Sequence, residues 1–246
     1  MGEIRDIFND SSKKLAILID PDKIRNSEDI ATLTDKINFL NPTFIFVGGS
    51  TVDEADFDRC IVEIKQRTQI PVIIFPGSYQ QISEKADGIL FLSLISGRNP
   101  DYLIGHQVRS AHLLKKMAIC SVPTGYIVID GGKNSSVAYV SQTTPIPSDQ
   151  NSIAVKTAIA GEMLGMSTIF LDAGSGAKHV VPESMISAVK GEIDIPLIVG
   201  GGIRSIEEVE RAFKAGADIV VIGNKIEEDN DFLLDLKGVR TNSTHS

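Results

Sequence analysis

The sequence predicts an α/β fold, a (β/α)8 TIM barrel formed by a single domain of residues 1–246, with a degenerate helix after the third strand. Short apolar runs alternate with helical patterns along the chain, and glycine-rich turns follow the last two runs. The runs are continuous, which is typical of parallel strands buried on both faces. The length of 246 residues agrees with the ~250 residues that such barrels usually need.

Eight runs rich in Ile, Val, Leu and Phe are the predicted strands. They are Leu15–Ile19, Phe44–Val47, Val72–Phe75, Gly88–Ile95, Gly125–Ile129, Thr168–Leu171, Leu197–Val199 and Asp218–Ile222. Helical patterns separate most of these runs. The first has apolar positions Ile30, Leu33, Ile37 and Leu40, and the second has Phe57, Ile61 and Ile64.

Capping residues mark several helix ends. Ser27 is predicted to cap the helix after the first strand, and Asn99-Pro100 predicts an N-cap followed by proline at the first helical position. Ser205 to Glu208 form a capping box, and Gly216 is the predicted end of that helix. The interval from Gly77 to Asp87 is too short for a full helix, so this connection is predicted to be degenerate.

The composition limits the possible classes of function. A formal charge of −8 argues against nucleic acid as a partner and against electrostatic attachment to anionic lipid. No apolar run approaches the ~20 residues of a transmembrane segment, and Met1–Lys14 is too polar for a secretory signal. Cys60 and Cys120 are expected to be reduced packing residues. We therefore expect a cytoplasmic protein, with a disordered tail from Gly238 to Ser246.

Two glycine-rich turns predict a phosphate site. Gly200-Gly201-Gly202 follows the seventh strand and Gly223-Asn224 follows the eighth. Without a Cβ the backbone can approach an anion closely, and N–H groups of a turn or helix start can point at it. In eight-stranded α/β barrels the phosphate site usually lies after strands seven and eight.

Polar residues at other strand ends suggest further chemistry. Asp20, Asp22 and Lys23 follow the first strand, and two acids there suit Mg²⁺, although Asp and Pro are also common in surface turns. Gly48-Gly49-Ser50-Thr51 follows the second strand, and its hydroxyls could ligate the same metal or cap the next helix.

Asp172 follows the sixth strand and precedes a glycine-serine loop, Ala173 to Ala177. Its carboxylate could act as a general base or orient a hydroxyl while the loop amides hold a phosphate. The alternative is a tight turn that Asp172 caps. The long stretch from Gly131 to Asn151 is interpreted as a lid or binding loop, or alternatively as a disordered insertion.

An ordered set of motifs resembles one family, the geranylgeranylglyceryl phosphate synthases and the PcrB-like prenyltransferases. The resemblance runs from about Lys13 to Asn224, and the first and fourth motifs are similar to the second branch of the family. The motifs are Leu18-Ile19-Asp20-Pro21-Asp22-Lys23, Phe46-Val47-Gly48-Gly49-Ser50, Phe75-Pro76-Gly77-Ser78, Ser96-Gly97-Arg98-Asn99-Pro100, Leu171-Asp172-Ala173-Gly174-Ser175-Gly176-Ala177, Gly200-Gly201-Gly202-Ile203-Arg204 and Gly223-Asn224.

The resemblance implies an Mg²⁺-dependent enzyme of lipid biosynthesis that joins the sn-3 hydroxyl of sn-glycerol 1-phosphate to a polyprenyl diphosphate, usually geranylgeranyl diphosphate. It implies a homo-oligomer, a dimer or larger. By motif position Asp20 and Ser50 would hold the metal, Asp22 and Lys23 would assist at the diphosphate, and Asp172 would be the catalytic base. The implied glycerol phosphate residues are Phe170, Leu171, Asp172, Ala173, Gly174, Ser175, Gly176, Gly201, Gly202, Gly223 and Asn224.

The chain departs from the family pattern, since Phe170-Leu171-Asp172 replaces a frequent Tyr-Leu-Glu and Leu18 replaces a lysine of the first branch. An apolar groove for the donor tail could be formed by Leu92, Leu94, Tyr102 and Leu103, which could equally be core residues. The residues alone also leave open a phosphosugar isomerase, an FMN-dependent barrel enzyme and a non-catalytic sensor of a phosphorylated ligand.

Overall fold

Eight parallel strands pair in chain order and close into a barrel in the computed structural model, which describes residues 2–24, 26–49 and 54–239. The predicted TIM barrel is therefore confirmed. The strands are β1 Lys14–Ile19, β2 Phe44–Val47, β3 Val72–Ile74, β4 Gly88–Leu94, β5 Cys120–Val128, β6 Thr168–Asp172, β7 Leu197–Gly200 and β8 Ile219–Ile222.

All eight predicted strands are present, and the fifth has the largest boundary error. β5 begins at Cys120 rather than Gly125. Ser121 and Pro123 interrupt the apolar run, but β5 still pairs residue by residue with β4, from Gly88 opposite Cys120 onward. Tertiary pairing decides this boundary, and the local apolar pattern does not.

Helices surround the barrel. They are α1 Gly2–Asn9, α2 Ser27–Leu40, α3 Glu54–Lys65, α4 His106–Met117, α5 Ser136–Ser141, α6 Asn151–Met163, α7 Glu183–Lys190, α8 Ile206–Ala215, α9 Asn224–Glu228 and α10 Phe232–Asp235. Short 3₁₀ turns cover Pro21–Lys23 and Leu236–Gly238, and a π-helical turn at Asp101–Gly105 leads into α4. Within the described residues no helix is both long and apolar enough to cross a membrane.

The predicted capping box and the predicted end of α8 are confirmed, and the predicted cap of α2 is corrected. Ser205 and Glu208 make both hydrogen bonds of the capping box, and Gly216 ends α8 in the left-handed region. The cap of α2 is Asn26, whose side chain accepts hydrogen bonds from the Glu28 and Asp29 amides at 2.9 Å each. Ser27 is instead the first helical residue. Both are good N-cap residues, and here the more N-terminal one binds the free amides.

Two apolar layers pack on the barrel wall, because successive side chains of a strand point to opposite faces. Inward residues such as Phe46, Leu90 and Phe170 fill the interior, while outward residues such as Ile45 and Leu171 pack under the helices. The N-terminal segment, where the sequence analysis predicted no element, forms α1. Its Phe8 stacks on Phe44 at 4.5 Å and covers the N-terminal end of the barrel.

The connection after β3 and the long connection after β5 differ in how much regular structure they contain. Residues 75–87 between β3 and β4 contain turns and no helix, which confirms the degenerate connection. The stretch Gly131–Asn151 contains α5 and is joined to the sheet by a bridge between Ile129 and Ile146. The interpretation of that stretch as a disordered insertion is therefore wrong.

Candidate active site

A cavity of about 340 Å³ opens at the C-terminal ends of the strands, the end at which barrels of this class carry their active sites. Its polar side contains Asp20, Asp22, Lys23, Asp172, Ser175, Gly201, Gly202, Gly223, Asn224 and Glu227. Its apolar side contains Ile82, Leu90, Phe91, Leu92, Leu94 and Tyr102. The cavity thus joins a polar site to an apolar arm.

Asp172 ends β6 and is buried, with 7% of its surface exposed. One carboxylate oxygen, Oδ2, accepts a hydrogen bond from the Tyr126 hydroxyl. The other, Oδ1, accepts one from the Gly174 amide at 2.8 Å. Burial raises the pKa of Asp172, and these two hydrogen bonds oppose the rise because they favour the ionised carboxylate.

The bond to Gly174 confirms that Asp172 caps the turn after β6. Its possible role as a base stays a prediction, since a raised pKa at a buried carboxyl in a cavity is compatible with both functions. The same environment raises the pKa of Tyr126, through burial and the nearby Asp172 charge. The tyrosine therefore remains a neutral hydroxyl that donates to the carboxylate.

The glycine turn after β7 approaches Asp172 closely. A Cβ on Gly201 would lie 2.5 Å from Asp172 Oδ1 and 2.6 Å from the Gly174 nitrogen, and the φ angle of Gly201 is +86°. Gly202 follows with a φ of +74°. Only glycine combines this backbone conformation with this approach. The predicted glycines of strands six and seven are therefore brought together.

Asn224 connects the turn after β8 to the turn after β6. Its Oδ1 accepts a hydrogen bond from the Gly176 amide at 2.8 Å, and its Nδ2 donates to Ser175 Oγ at 3.1 Å. The amides of Gly174 and Gly176 are thus already bound by protein side chains. This differs from the expectation that the loop amides are available to a phosphate.

The predicted substrate residues divide into two groups. Phe170 lines the cavity and contacts Phe75 and Tyr126, with ring centroids 5.4 and 5.5 Å apart. The side chains of Leu171 and Ala173 instead pack in the outer layer. Strand alternation places Phe170 and Asp172 on one face and Leu171 on the other. Leu171 and Ala173 can therefore contribute only backbone atoms.

Asp20 lies half-buried at the cavity mouth, where its Oδ1 accepts a hydrogen bond from the Asp22 amide at 3.1 Å. Burial is the main cause that raises the pKa of Asp20, and the charges of Glu227 and Asp22 add to it. Lys23, at the same mouth, pairs with Glu227 at 2.9 Å.

This donor set fits Mg²⁺, which binds one or two carboxylates and completes its shell with water and substrate phosphate oxygens. A cation would also compensate the acidic groups around Asp20. The described residues contain no cluster of three or more His, Cys, Asp or Glu that could hold a metal alone. Ser50, the second predicted ligand, lies outside the described residues.

Two residues that line the cavity, Tyr126 and Glu227, are not predicted from the sequence. Tyr126 lies inside a predicted strand, where its only signal is a hydroxyl on a buried strand, which normally needs a hydrogen-bond partner. Glu227 lies beyond the last predicted motif, on α9.

Of the four tail-groove candidates, Leu92, Leu94 and Tyr102 line the cavity, and Leu103 packs against the outer core instead. The cysteines are both buried and free, as predicted.

Known proteins resemble this chain over almost its full length. Geranylgeranylglyceryl phosphate synthase of Chitinophaga pinensis is 50% identical over 224 residues, which are 91% of this chain and 88% of that protein. The protein of the same name from Pyrococcus horikoshii is 43% identical over 213 residues, covering 86% of this chain and 83% of the relative.

Solved structures agree with these relatives. (S)-3-O-geranylgeranylglyceryl phosphate synthase from Thermoplasma acidophilum, in complex with its substrate sn-glycerol-1-phosphate, has a TM-score of 0.89 and 37% identity, over 95% of each chain. N-acetylmannosamine-6-phosphate 2-epimerase from Clostridium perfringens, at 13% identity and a TM-score of 0.59, shares the fold alone. The model of the PcrB family matches residues 9–239. The chain belongs to the PcrB family, which confirms the resemblance found in its motifs.

Proposed function

We propose that this protein is a geranylgeranylglyceryl phosphate synthase. It transfers a geranylgeranyl group, or a related polyprenyl group, from the diphosphate to the sn-3 hydroxyl of sn-glycerol 1-phosphate. One observation carries the proposal: a single cavity places the buried Asp172 carboxylate between glycine turns suited to a phosphate and an apolar arm suited to a prenyl tail. The names of the relatives and the substrate complex of the Thermoplasma acidophilum enzyme support it.

In this reaction the glycerol oxygen forms a bond to the allylic carbon of the donor, and the bond from that carbon to the diphosphate oxygen breaks. The proton of the hydroxyl passes to Asp172, directly or through a water, and diphosphate leaves. The turns at Gly201 and Asn224 hold the glycerol phosphate, so that the hydroxyl is placed for attack. Such positioning can contribute up to ~7–11 kcal/mol.

The hydrogen bonds of Asp172 suit a base in this position. Tyr126 and Gly174 fix both carboxylate oxygens in place, so little reorganisation is needed as the proton moves. Burial keeps the pKa above the usual range and thus makes the carboxylate a stronger base than an exposed aspartate.

Asp20, with Ser50 from the part of the chain that is not described, would hold Mg²⁺ at the cavity mouth. When bound, Mg²⁺ supplies positive charge that stabilises the leaving diphosphate. Lys23 lies at the same mouth and adds an ammonium group on this side of the cavity.

The apolar arm provides a path for the prenyl tail. β3 pairs with β4 only at Ile73 and Ile74, opposite Gly88 and Ile89, so the edge of β4 beyond Ile89 is left without a β3 neighbour. The cavity there reaches both faces of β4, since it contacts the inward Leu90 and the outward Phe91. The degenerate connection after β3 places no helix over this opening, and the tail would leave the barrel through it.

Product analysis tests the proposal. Radiolabelled sn-glycerol 1-phosphate with Mg²⁺ and donors of graded length should yield prenylglyceryl phosphate and diphosphate, identified by mass. Absence of product with every donor would contradict the function. Binding of glycerol phosphate without turnover would favour a sensor, and isomerisation of a phosphosugar or a yellow protein would favour the other barrel enzymes.

Asp172→Asn tests the base and has a matched control. It should lose most turnover and keep glycerol phosphate binding, because the turn hydrogen bond can survive. Asp130 makes the same type of turn bond, to the Gly132 amide at 2.9 Å, but does not line the cavity. Asp130→Asn should keep wild-type rates, and wild-type rates in Asp172→Asn would exclude Asp172 as the base.

The remaining expectations concern the whole protein. We propose a cytoplasmic homo-oligomer, a dimer or larger, built from one barrel domain per chain. Light scattering coupled to size-exclusion chromatography measures the mass directly, and a monomer at micromolar concentration would contradict the oligomer.

A further inference from the structure

Lys133 lies on the segment between β5 and α5, and this segment packs on the turn after β6. The Gly131 carbonyl accepts hydrogen bonds from the Lys178 and His179 amides at 2.8 and 3.1 Å. A Cβ on Gly131 would lie 2.5 Å from the Ala173 carbonyl oxygen. The chain just before Lys133 is therefore held against the turn by backbone contacts.

The chain just after Lys133 is held in the same way. A Cβ on Gly174, whose φ is +90°, would lie 2.7 Å from Ser135 Cβ. Ser135 is buried, and its Oγ accepts a hydrogen bond from the Ala138 amide at the start of α5. Lys133 thus extends from a short segment that is fixed to the turn on both sides.

The ammonium group of Lys133 lies over this turn. The φ of Gly176 is +68°, and a Cβ there would lie 3.3 Å from Lys133 Nζ, the one described neighbour within 4 Å. Gly176 follows Ser175 in the chain, and its amide donates to Asn224. Ser175 and Asn224 line the cavity and Lys133 does not, so Nζ lies beside the turn that a substrate phosphate would approach.

Acidic side chains outnumber unpaired basic side chains among the described residues that line the cavity, so a phosphate there would be stabilised by a further cation. Asp20, Asp172 and Glu227 all line the cavity, and Lys23 is paired with Glu227. Arg204 is already engaged, since its Nη1 donates a hydrogen bond to the carbonyl of Ala177 at 3.0 Å. The amides of Gly174 and Gly176 already have protein acceptors. A phosphate dianion would meet more negative than positive charge at this site without a further donor.

We propose that Lys133 binds the phosphate group of the glycerol phosphate substrate and compensates its charge at the turn. The inference rests on the proposed function and names the residue that recognises the acceptor substrate. Lys133 is exposed and makes no hydrogen bond or ion pair with the described residues, so its ammonium can bind substrate without breaking a contact. A lysine acts on phosphate as a mobile point charge and does not require a fixed geometry.

Three variants test the proposal by calorimetric titration of sn-glycerol 1-phosphate, without a donor. Lys133→Met should weaken binding by roughly ten- to a hundredfold, the usual effect of a hydrogen bond to a charged group. Lys133→Arg should stay within about threefold of wild type, because the charge is kept. Lys178→Met is the control, since Lys178 is an exposed lysine on the adjoining loop; it should bind within about twofold of wild type.

Steady-state kinetics complete the design. In Lys133→Met the KM for glycerol phosphate should rise, while the KM for the prenyl diphosphate stays unchanged. The salt dependence of glycerol phosphate affinity should become weaker, since one charge contact is lost. A thermal unfolding midpoint equal to that of wild type confirms that the exposed substitution leaves the fold intact.

The outcomes separate this inference from the proposed function. Lys133→Met with affinity within twofold of wild type overturns it, as does an equal loss in Lys178→Met, which would indicate a diffuse charge effect. Wild-type protein that does not bind glycerol phosphate overturns both proposals. Binding that depends on Lys133 in a protein that gives no product with any donor supports the inference and contradicts the enzyme function.

Discussion

The contact between Tyr126 and Asp172 gives the sharpest quantitative prediction. Tyr126→Phe removes one buried hydroxyl and keeps the ring contacts with Phe75 and Phe170, at centroid distances of 5.8 and 5.5 Å. The change therefore acts on Asp172 Oδ2, which loses the Tyr126 hydroxyl as its hydrogen-bond donor in a largely buried position. We expect the free energy of unfolding at neutral pH to fall by about 1.5–3 kcal/mol, the range for a hydrogen bond to a charged group.

The pH dependence of the variant has a definite sign. Tyr126 favours the ionised carboxylate, so its removal raises the pKa of Asp172 further above the usual range. A carboxyl whose pKa is higher in the folded state makes the protein less stable as pH rises from the unfolded pKa to the folded one. The loss of stability in Tyr126→Phe, relative to wild type, should therefore be largest above the raised pKa of Asp172. It should shrink in acid, where Asp172 is protonated in both proteins.

A double-mutant cycle measures the effect. Urea unfolding of wild type, Tyr126→Phe, Asp172→Asn and the double variant should give a coupling energy of about 1 kcal/mol, because the neutral amide keeps only the weaker hydrogen bond. The rising limb of kcat/KM against pH should also move to higher pH in Tyr126→Phe. A coupling energy within about 0.3 kcal/mol of zero, with an unchanged pH profile, would refute the reasoning.

Two further substitutions test the turn and the metal site. Gly201→Ala should lower the free energy of unfolding, measured by thermal or urea unfolding, by about 2–4 kcal/mol, because the new methyl group would meet Asp172 Oδ1 in a left-handed backbone. The control is Gly165→Ala, at a φ of +89° with no atom within 4 Å of its Cβ, which should cost only about 1–2 kcal/mol. Equal losses in the two variants would contradict the close approach at Gly201. Asp20→Asn should raise the Mg²⁺ concentration for half-maximal activity at least about tenfold without lowering the unfolding midpoint, because it removes a desolvated charge near Glu227. Unchanged metal dependence would move the metal elsewhere.

The barrel could be predicted from sequence because its strands are local signals. Strands such as Phe44–Val47 and Ile219–Ile222 are buried on both faces, so every position is apolar. The prediction failed where a strand contains polar residues that tertiary pairing tolerates, as at Ser121 in β5. α1 was missed because its apolar positions, Ile4, Ile7 and Phe8, are few and lie among charged residues, although their helical spacing was visible.

The site was predictable where its residues lie directly at strand ends. Asp20, Asp172 and the glycines after β7 could be found in this way, because a parallel barrel brings all C-terminal strand ends together. Tyr126 is separated from Asp172 by 46 residues and is linked to it only by the pairing of β5 with β6. Lys133 lies in a loop whose position depends on contacts between Gly131 and the neighbouring turn. Neither the contact of Tyr126 with Asp172 nor the position of Lys133 at the turn after β6 produces a pattern in the local sequence.

The replacement of the family tyrosine by Phe170 links these observations. The ring tip of Phe170 lies beside Gly200, where a Cβ would be 3.1 and 3.2 Å from Cε2 and Cζ. A hydroxyl on Cζ would therefore extend near the glycine turn after β7, so this chain lacks a donor that the motif resemblance implies at this position in much of the family. The charge that we assign to Lys133 would compensate for that loss at the same phosphate.

This reasoning predicts a rescue. Added to Lys133→Met, Phe170→Tyr should raise the affinity for glycerol phosphate about three- to tenfold above that of Lys133→Met alone, the effect of one added neutral hydrogen bond. In the wild-type background its effect should be smaller, because Lys133 already compensates the charge. Calorimetric titration of the four proteins gives both values. If Phe170→Tyr improves binding equally in both backgrounds, or in neither, the two side chains do not share a phosphate, since groups that share a ligand are not independent.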